Sequence, residues 1–244
     1  MNSKNYTSTE FYQKIISHLI NFIVFFLFTS HILFSQETDK WDNQIFIANK
    51  VAGGADKFKY SGELQIRLKD NMQQLDRWYF EGMASFLLSK HFEIVPDLRF
   101  NIKPDEKEIR PGLGVLYKHY VKDKFQFVHQ YKWQIDIDNK GHSDQAIRYV
   151  LFINKKINDK IIVSYAIGTL YRWRKEDHFS GIQFFRNGPG IDYKFSEKHH
   201  LSFSYFINGT NTGEHWTWAG VPFIQLIINI NKDYKYVPAK YFNF

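Results

Sequence analysis

The stretch KFQFVHQYKWQIDID, Lys124 to Asp138, alternates between two kinds of side chain. Its odd positions, Phe125, Phe127, Tyr131, Trp133, Ile135 and Ile137, are apolar or aromatic, with His129 the exception. Its even positions are Lys124, Gln126, Gln130, Lys132, Gln134, Asp136 and Asp138, and among them only Val128 is apolar. A period of two puts successive side chains on opposite faces of an extended strand, so the segment separates a greasy face from a wet one. It is also far longer than the ~5–6 residues usual for strands in soluble sheets.

The same alternation recurs along the chain. Lys59–Lys69 sets Tyr60, Leu64, Ile66 and Leu68 against Glu63, Gln65 and Arg67; Arg77–Leu88 sets Trp78, Phe80 and Phe86 against Arg77, Glu81 and Ser85. Phe92–Ile102, Ile109–His119, Ile147–Lys155, Ile161–Arg174, Gly181–Phe195, His200–Gly209 and Thr217–Asn231 continue it, with Gln44–Val51 a weaker first strand and Tyr234–Phe244 a candidate last one. Short polar turns separate the segments, leaving no room for helical crossovers, and no linker divides them. The expectation is an all-β fold: a single antiparallel up-and-down barrel of about twelve strands, or ten if both end segments drop out. An even count returns both ends to one side, the norm for bacterial single-chain barrels. Twelve is preferred because Tyr241, Phe242 and Phe244 end the chain like the terminal aromatic of outer-membrane strands.

Composition fits this reading. Aromatics make up 18% of the 244 residues, and alternating strands hide their apolar half from the mean hydropathy of −0.41. With no cysteine, the chain has no disulfide, thiolate metal site or cysteine nucleophile. A net charge of +7 spread among 25 acids gives no nucleic-acid footprint. Leu19–Phe34 is a 16-residue apolar run behind Lys4 and Lys14, short for a spanning helix and suited to an export signal. A signal peptide over residues 1–36, with cleavage near Ser35 or Gln36, and a barrel over 37–244 are expected; an uncleaved anchor is the alternative.

Alternation alone does not say which face points inward. Strand length matches the ~9–11 tilted residues that cross a bilayer. Aromatics near segment ends (Tyr60, Trp78, Tyr117, Trp133, Tyr171, Trp173, Trp218) resemble interfacial girdles. A transmembrane barrel is therefore expected, with Phe125, Phe127, Tyr131, Trp133 and Ile135 facing lipid and Gln126, Gln130, Lys132 and Gln134 in the lumen. His129 then falls on the lipid side. The rival is a soluble lipocalin-like carrier with its apolar face inward.

With these features in place, the chain resembles a family of exported bacterial proteins, domain-of-unknown-function family 2490, read as outer-membrane β-barrels. The resemblance rests on Trp41, GELQIRLKDN (Gly62–Asn71), DRWYFEG (Asp76–Gly82), IRPGLGVLYKH (Ile109–His119) and QAIRYVLFINKKI (Gln145–Ile157), and spans roughly Trp41 to Asn231. It implies the outer membrane of a Gram-negative bacterium, with membrane lipid, lipopolysaccharide and the barrel-assembly machinery as partners. It implies no catalytic residue and no cofactor.

Candidate functional residues lie on the polar faces: Glu63, Arg67, Glu81, Asp97, Arg99, Arg148, Arg172 and Arg174. Arg148, Arg172 and Arg174 could form an anion path or hold lipopolysaccharide phosphates; the plainer reading is lumen ion pairing with Glu63, Glu81, Glu93 or Asp97. A structural or narrow-channel role follows. The enzyme alternative is a lipid hydrolase using His142 (in His142-Ser143-Asp144) or His215 (near Thr217), but adjacent residues rarely converge as a triad. His199-His200, with His91, His119 and His178, could suggest a metal, yet consecutive strand histidines point apart. Asn187-Gly188-Pro189-Gly190 reads as a bend or bulge.

Overall fold

The computed structural model describes residues 41–121, 125–173, 180–231, 233–236 and 239. The expected signal segment, Arg174, His178 and the terminal aromatics lie outside the described residues. The described residues form thirteen strands: β1 (Trp41–Asn43), β2 (Ile45–Asp56), β3 (Phe58–Lys69), β4 (Gln74–Leu87), β5 (Phe92–Ile102), β6 (Lys107–Val121), β7 (Phe125–Asp138), β8 (Ser143–Lys156), β9 (Ile161–Trp173), β10 (Gly181–Lys194), β11 (His199–Asn211), β12 (Trp216–Asn229) and β13 (Asp233–Tyr234). No helix occurs among the described residues.

β2 to β12 pair in sequence order, each antiparallel to the next, and β12 closes onto β2 to complete the barrel. The ring has eleven strands, between the expected ten and twelve. Directions that alternate around an odd ring must meet once in parallel, and they do so here from Phe223↔Phe46 to Asn229↔Ala52. The two ends of the ring therefore lie at opposite rims, not on one side as an even count requires. Among the described residues no twelfth ring strand forms, for a physical reason. β13 runs parallel to β2 at Ala55 and Asp56, directly beyond the β12 pairing, so this part of the expected last strand prolongs β12 along the same seam. β1 likewise prolongs β2, pairing with Trp218–Gly220 of β12.

Links 70–73, 103–106, 139–142 and 212–215 mark what is called here the upper rim; links 57, 88–91, 157–160 and 195–198 mark the lower. The 70–73 turn carries three consecutive left-handed residues, Asp70 (φ 53°), Asn71 (φ 56°) and Met72 (φ 66°). Side chains other than glycine resist that region. The Asp42 carboxylate holds the turn by accepting the N–H groups of Asp70 (3.2 Å) and Asn71 (2.8 Å), which also fastens the seam to the rim.

The parity read from β7 fixes the faces. Tyr131 and Trp133 are 54% and 45% exposed, whereas Lys132 and Gln134 are 3% and 0%. Leu64, Phe80, Leu98, Leu113 and Ile147 join the exposed apolar belt, with Tyr60, Trp78, Tyr171 and Trp173 toward its edges. Among the described residues, the interior holds more polar and charged side chains than apolar ones. This is the inverse of a soluble core, and opposite to a lipocalin-like carrier. A surface of this kind is stable against hydrocarbon, and a closed ring leaves no backbone edge unpaired there. The fold is a transmembrane β-barrel. His129 does sit on the outer face: its Nδ1 is 2.9 Å from the Tyr149 hydroxyl, and its ring lies beside Tyr117. The hydrogen bond lowers the cost of a polar ring facing lipid.

β10 corrects one local expectation. Asn187–Gly190 does not break the strand; these residues stay paired to β9 throughout, and the irregularity falls between Ile182 and Phe184. Gly188 serves close approach instead: a Cβ there would collide with the Tyr205 carbonyl of β11. Toward the lower rim the lumen is filled. Leu116, Val128, Val150 and Phe152 form part of an apolar cluster. Lys118 Nζ and Glu93 Oε1 pair at 2.9 Å with both side chains fully buried, and Glu93 also accepts from Ser85 (2.6 Å) and the Ala239 N–H (3.0 Å).

Candidate functional site

Mid-barrel, the inward positions of β4, β5 and β7 carry a compact charge network. Arg99 donates through Nε (3.1 Å) and Nη2 (2.6 Å) to Oε2 of Glu81. Lys132 reaches from β7 to Glu81 Oε1 at 3.5 Å and to Asp97 Oδ1 at 2.5 Å. Register builds this: Glu81 faces Arg99 directly across β4–β5. Gly112 on β6 leaves room for Lys132 to pass, because a Cβ there would lie 2.5 Å from Lys132 Cε and 2.8 Å from Asp97 Oδ1. Nearby, Glu63 accepts from Tyr79 (3.1 Å) and Gln225 (3.0 Å) and lies 3.7 Å from Lys50.

Above this network, toward the upper rim, Arg110 donates to Asp136 and, at 2.8 Å, to Glu108. Arg172 lies 2.7 Å from Asp136 and 3.5 Å from Asp144. Arg148 donates to Gln134 at 2.7 Å and Arg186 to Asn208 at 2.6 Å. Arginine and aromatic rings stack between the two levels: Arg67 over Phe46 at 4.3 Å, Arg99 over Tyr79 at 4.0 Å, Arg186 over Phe184 at 4.7 Å.

These groups surround a cavity of about 410 Å³. Among the described residues, eight of its lining side chains are cationic, Arg67, Arg77, Arg99, Lys103, Arg110, Arg148, Arg172 and Arg186, and two are acidic, Asp76 and Glu108. Phe46, Leu170 and Phe184 give it an apolar share. The barrel wall beyond is low in dielectric, which strengthens the interactions of the charges inside.

The sequence candidates separate cleanly. Arg67, Arg99, Arg148 and Arg172 all reach this cavity, Glu81 and Asp97 hold the network beneath it, and Glu63 lies beside them. The ion pairing differs in detail from expectation: Arg172 takes Asp144 on the neighbouring β8 and Asp136 on β7 beyond it, not Glu63, Glu81, Glu93 or Asp97. Sequence reasoning missed Arg77, Lys103, Arg110 and Arg186 as members of one site. Arg110 carried a signal, since it shares parity with Glu108 and Lys118 on β6. Arg186 was obscured because the irregularity between Ile182 and Phe184 shifts the parity of β10.

The other motifs do not assemble. His142 Nδ1 binds Asp138 at 2.8 Å in an exposed turn, away from Ser143. Thr217 donates to the Thr210 carbonyl at 3.3 Å, while His215 makes backbone contacts with Thr212 in the 212–215 link. His199 pairs with Ser196 (2.8 Å) and His200 with Asp192 (3.3 Å), on opposite faces of β11. No group of three metal-ligating side chains forms among the described residues.

Among solved structures, the NanC porin aligns with a TM-score of 0.46 at 12% identity, covering 68% of this chain and 86% of its own. The KdgM porin, alone and in complex with disordered oligogalacturonate, aligns with a TM-score of 0.44 at 12% identity, covering 72% of this chain and 93% of its own. No curated relative matches the sequence. Residues 41–219, which include ten of the eleven ring strands and the start of β12, match the family described as protein of unknown function (DUF2490), and the chain belongs to that family.

Proposed function

We propose that this protein is an outer-membrane barrel of a Gram-negative bacterium whose upper vestibule collects anionic solutes and passes them along a narrow lumen. The carrying observation is the charge of the cavity lining, eight cations against two acids among the described residues, in a chain whose overall excess is only +7. The filled lower lumen argues for a narrow path, well below the aqueous channels of barrels with ~16–18 strands. Membrane lipid and lipopolysaccharide would meet the apolar belt, and insertion would use the barrel-assembly machinery. No catalytic step is part of this reading.

Planar bilayers test it. Under a tenfold KCl gradient the reversal potential should take the sign of chloride preference, with conductance far below that of a large porin. Neutralising Arg110 and Arg172 together should reduce the preference. Cation preference in the wild type, or no current from heat-modifiable, folded protein, would contradict the proposal.

A further inference from the structure

We infer that Arg67 is the docking point for an oxyanion, the carboxylate or phosphoryl group of a free solute, at the floor of the vestibule. This rests on the anion-collecting reading above and supplies its specificity.

Arg67 projects from β3 into the cavity, with its guanidinium 4.3 Å over the Phe46 ring and 5.3 Å from the Tyr79 ring. A guanidinium stacked on aromatic rings keeps a fixed plane and directs its N–H bonds sideways within that plane. Two of its nitrogens, Nε and Nη2, are buried and have no hydrogen-bond partner among the described residues. They are not an arbitrary pair. Together they form the side-on edge, one of the two edges of a guanidinium whose parallel N–H bonds match two oxygens of a carboxylate or phosphate.

Arg99 shows that edge taken up by a carboxylate, since its Nε and Nη2 both donate to Oε2 of Glu81. The acids around Arg67 are engaged elsewhere: Glu63 with Lys50, Tyr79 and Gln225, Glu81 with Arg99 and Lys132, Asp76 with Arg77 at 2.8 Å. A charged donor left unmatched in a dry wall is costly, and an oxyanion reaching it from the vestibule recovers that cost. A carboxylate or phosphate can give each donor its own oxygen, where a monatomic anion must share one centre between the two.

Calorimetric titration of the folded, detergent-solubilised full chain in chloride-free buffer tests this, with inorganic phosphate and succinate as probes. Saturable binding of at least one probe is expected, weakened at least tenfold in Arg67→Lys, which keeps the charge and loses the fork. Chloride at equal concentration should compete poorly on the wild type. No saturable binding to wild type, chloride competing as well as phosphate, or equal affinities in wild type and Arg67→Lys would each overturn the assignment. If wild type keeps the anion preference of the bilayer current while the affinities of wild type and Arg67→Lys are equal, only the Arg67 assignment fails; if wild type lacks that preference, the vestibule reading fails.

Discussion

Replacing Glu81 by glutamine should destabilise the barrel by about 3–5 kcal/mol, the scale found when one partner of a buried ion pair is removed. Glu81 is 3% exposed and is the shared acceptor of Arg99 and Lys132, themselves 2% and 3% exposed. Glutamine preserves shape and one acceptor oxygen but leaves Arg99 buried without its counter-charge. Lys132 would fall back on Asp97 alone, and the loss would spread along the network. A second substitution that removes the stranded charge, Arg99→Met, should recover part of the loss in the Glu81→Gln background, because two neutral groups cost less to bury than one uncompensated cation. Urea unfolding in liposomes, followed by heat-modifiable gel mobility, measures both. A Glu81→Gln barrel as stable as wild type would mean that water reaches the network freely, and the narrow-lumen account would fail.

Leu98→Arg should cost about 2–4 kcal/mol, the depth-dependent penalty for a cation on the lipid face near the bilayer midplane. Leu98 lies near the middle of β5, opposite Gly82 and Pro111, and is 40% exposed to the exterior. It sits between two lumen-facing charges, Asp97 in the network and Arg99 beside it, so one step along the chain reverses what the position tolerates. Leu98→Met should change stability by less than about 1.5 kcal/mol, as volume-conserving apolar swaps usually do. Liposome unfolding of the three proteins checks the pair. Equal stability of Leu98→Arg and wild type would place that face in water.

Much of this architecture was legible in the chain because a period of two carries its information locally. Each of the eleven ring strands corresponds to an alternating segment, and the lumen and lipid assignments along β7 follow from the parity of single residues such as Gln134 and Trp133. What the alternation could not carry was closure. Whether Tyr234 begins a new hairpin arm or prolongs β12 depends on pairing with Ala55 and Asp56, some 180 residues earlier, and nothing in its neighbours encodes that. The site shows the same divide. Arg67, Arg99, Arg148 and Arg172 announce themselves as cations on polar faces. Their convergence on one cavity depends on how far each strand is staggered past the next. Partner choice is equally non-local: Arg172 reaches Asp136 two strands away, across β8. Arg186 shows a third limit, since one irregularity upstream inverts the parity by which it would be read.

The central claim is that the charged residues of the strands point into a closed lumen and the apolar aromatic belt into lipid. The chain has no cysteine, so single nitroxide labels can be placed cleanly along β7 at Gln130→Cys, Tyr131→Cys, Trp133→Cys and Gln134→Cys in liposomes. The account predicts an alternating pattern, with high collision rates for membrane-dissolved oxygen at 131 and 133 and low rates at 130 and 134. High oxygen access at 130 and 134, or no alternation across the four sites, would contradict it.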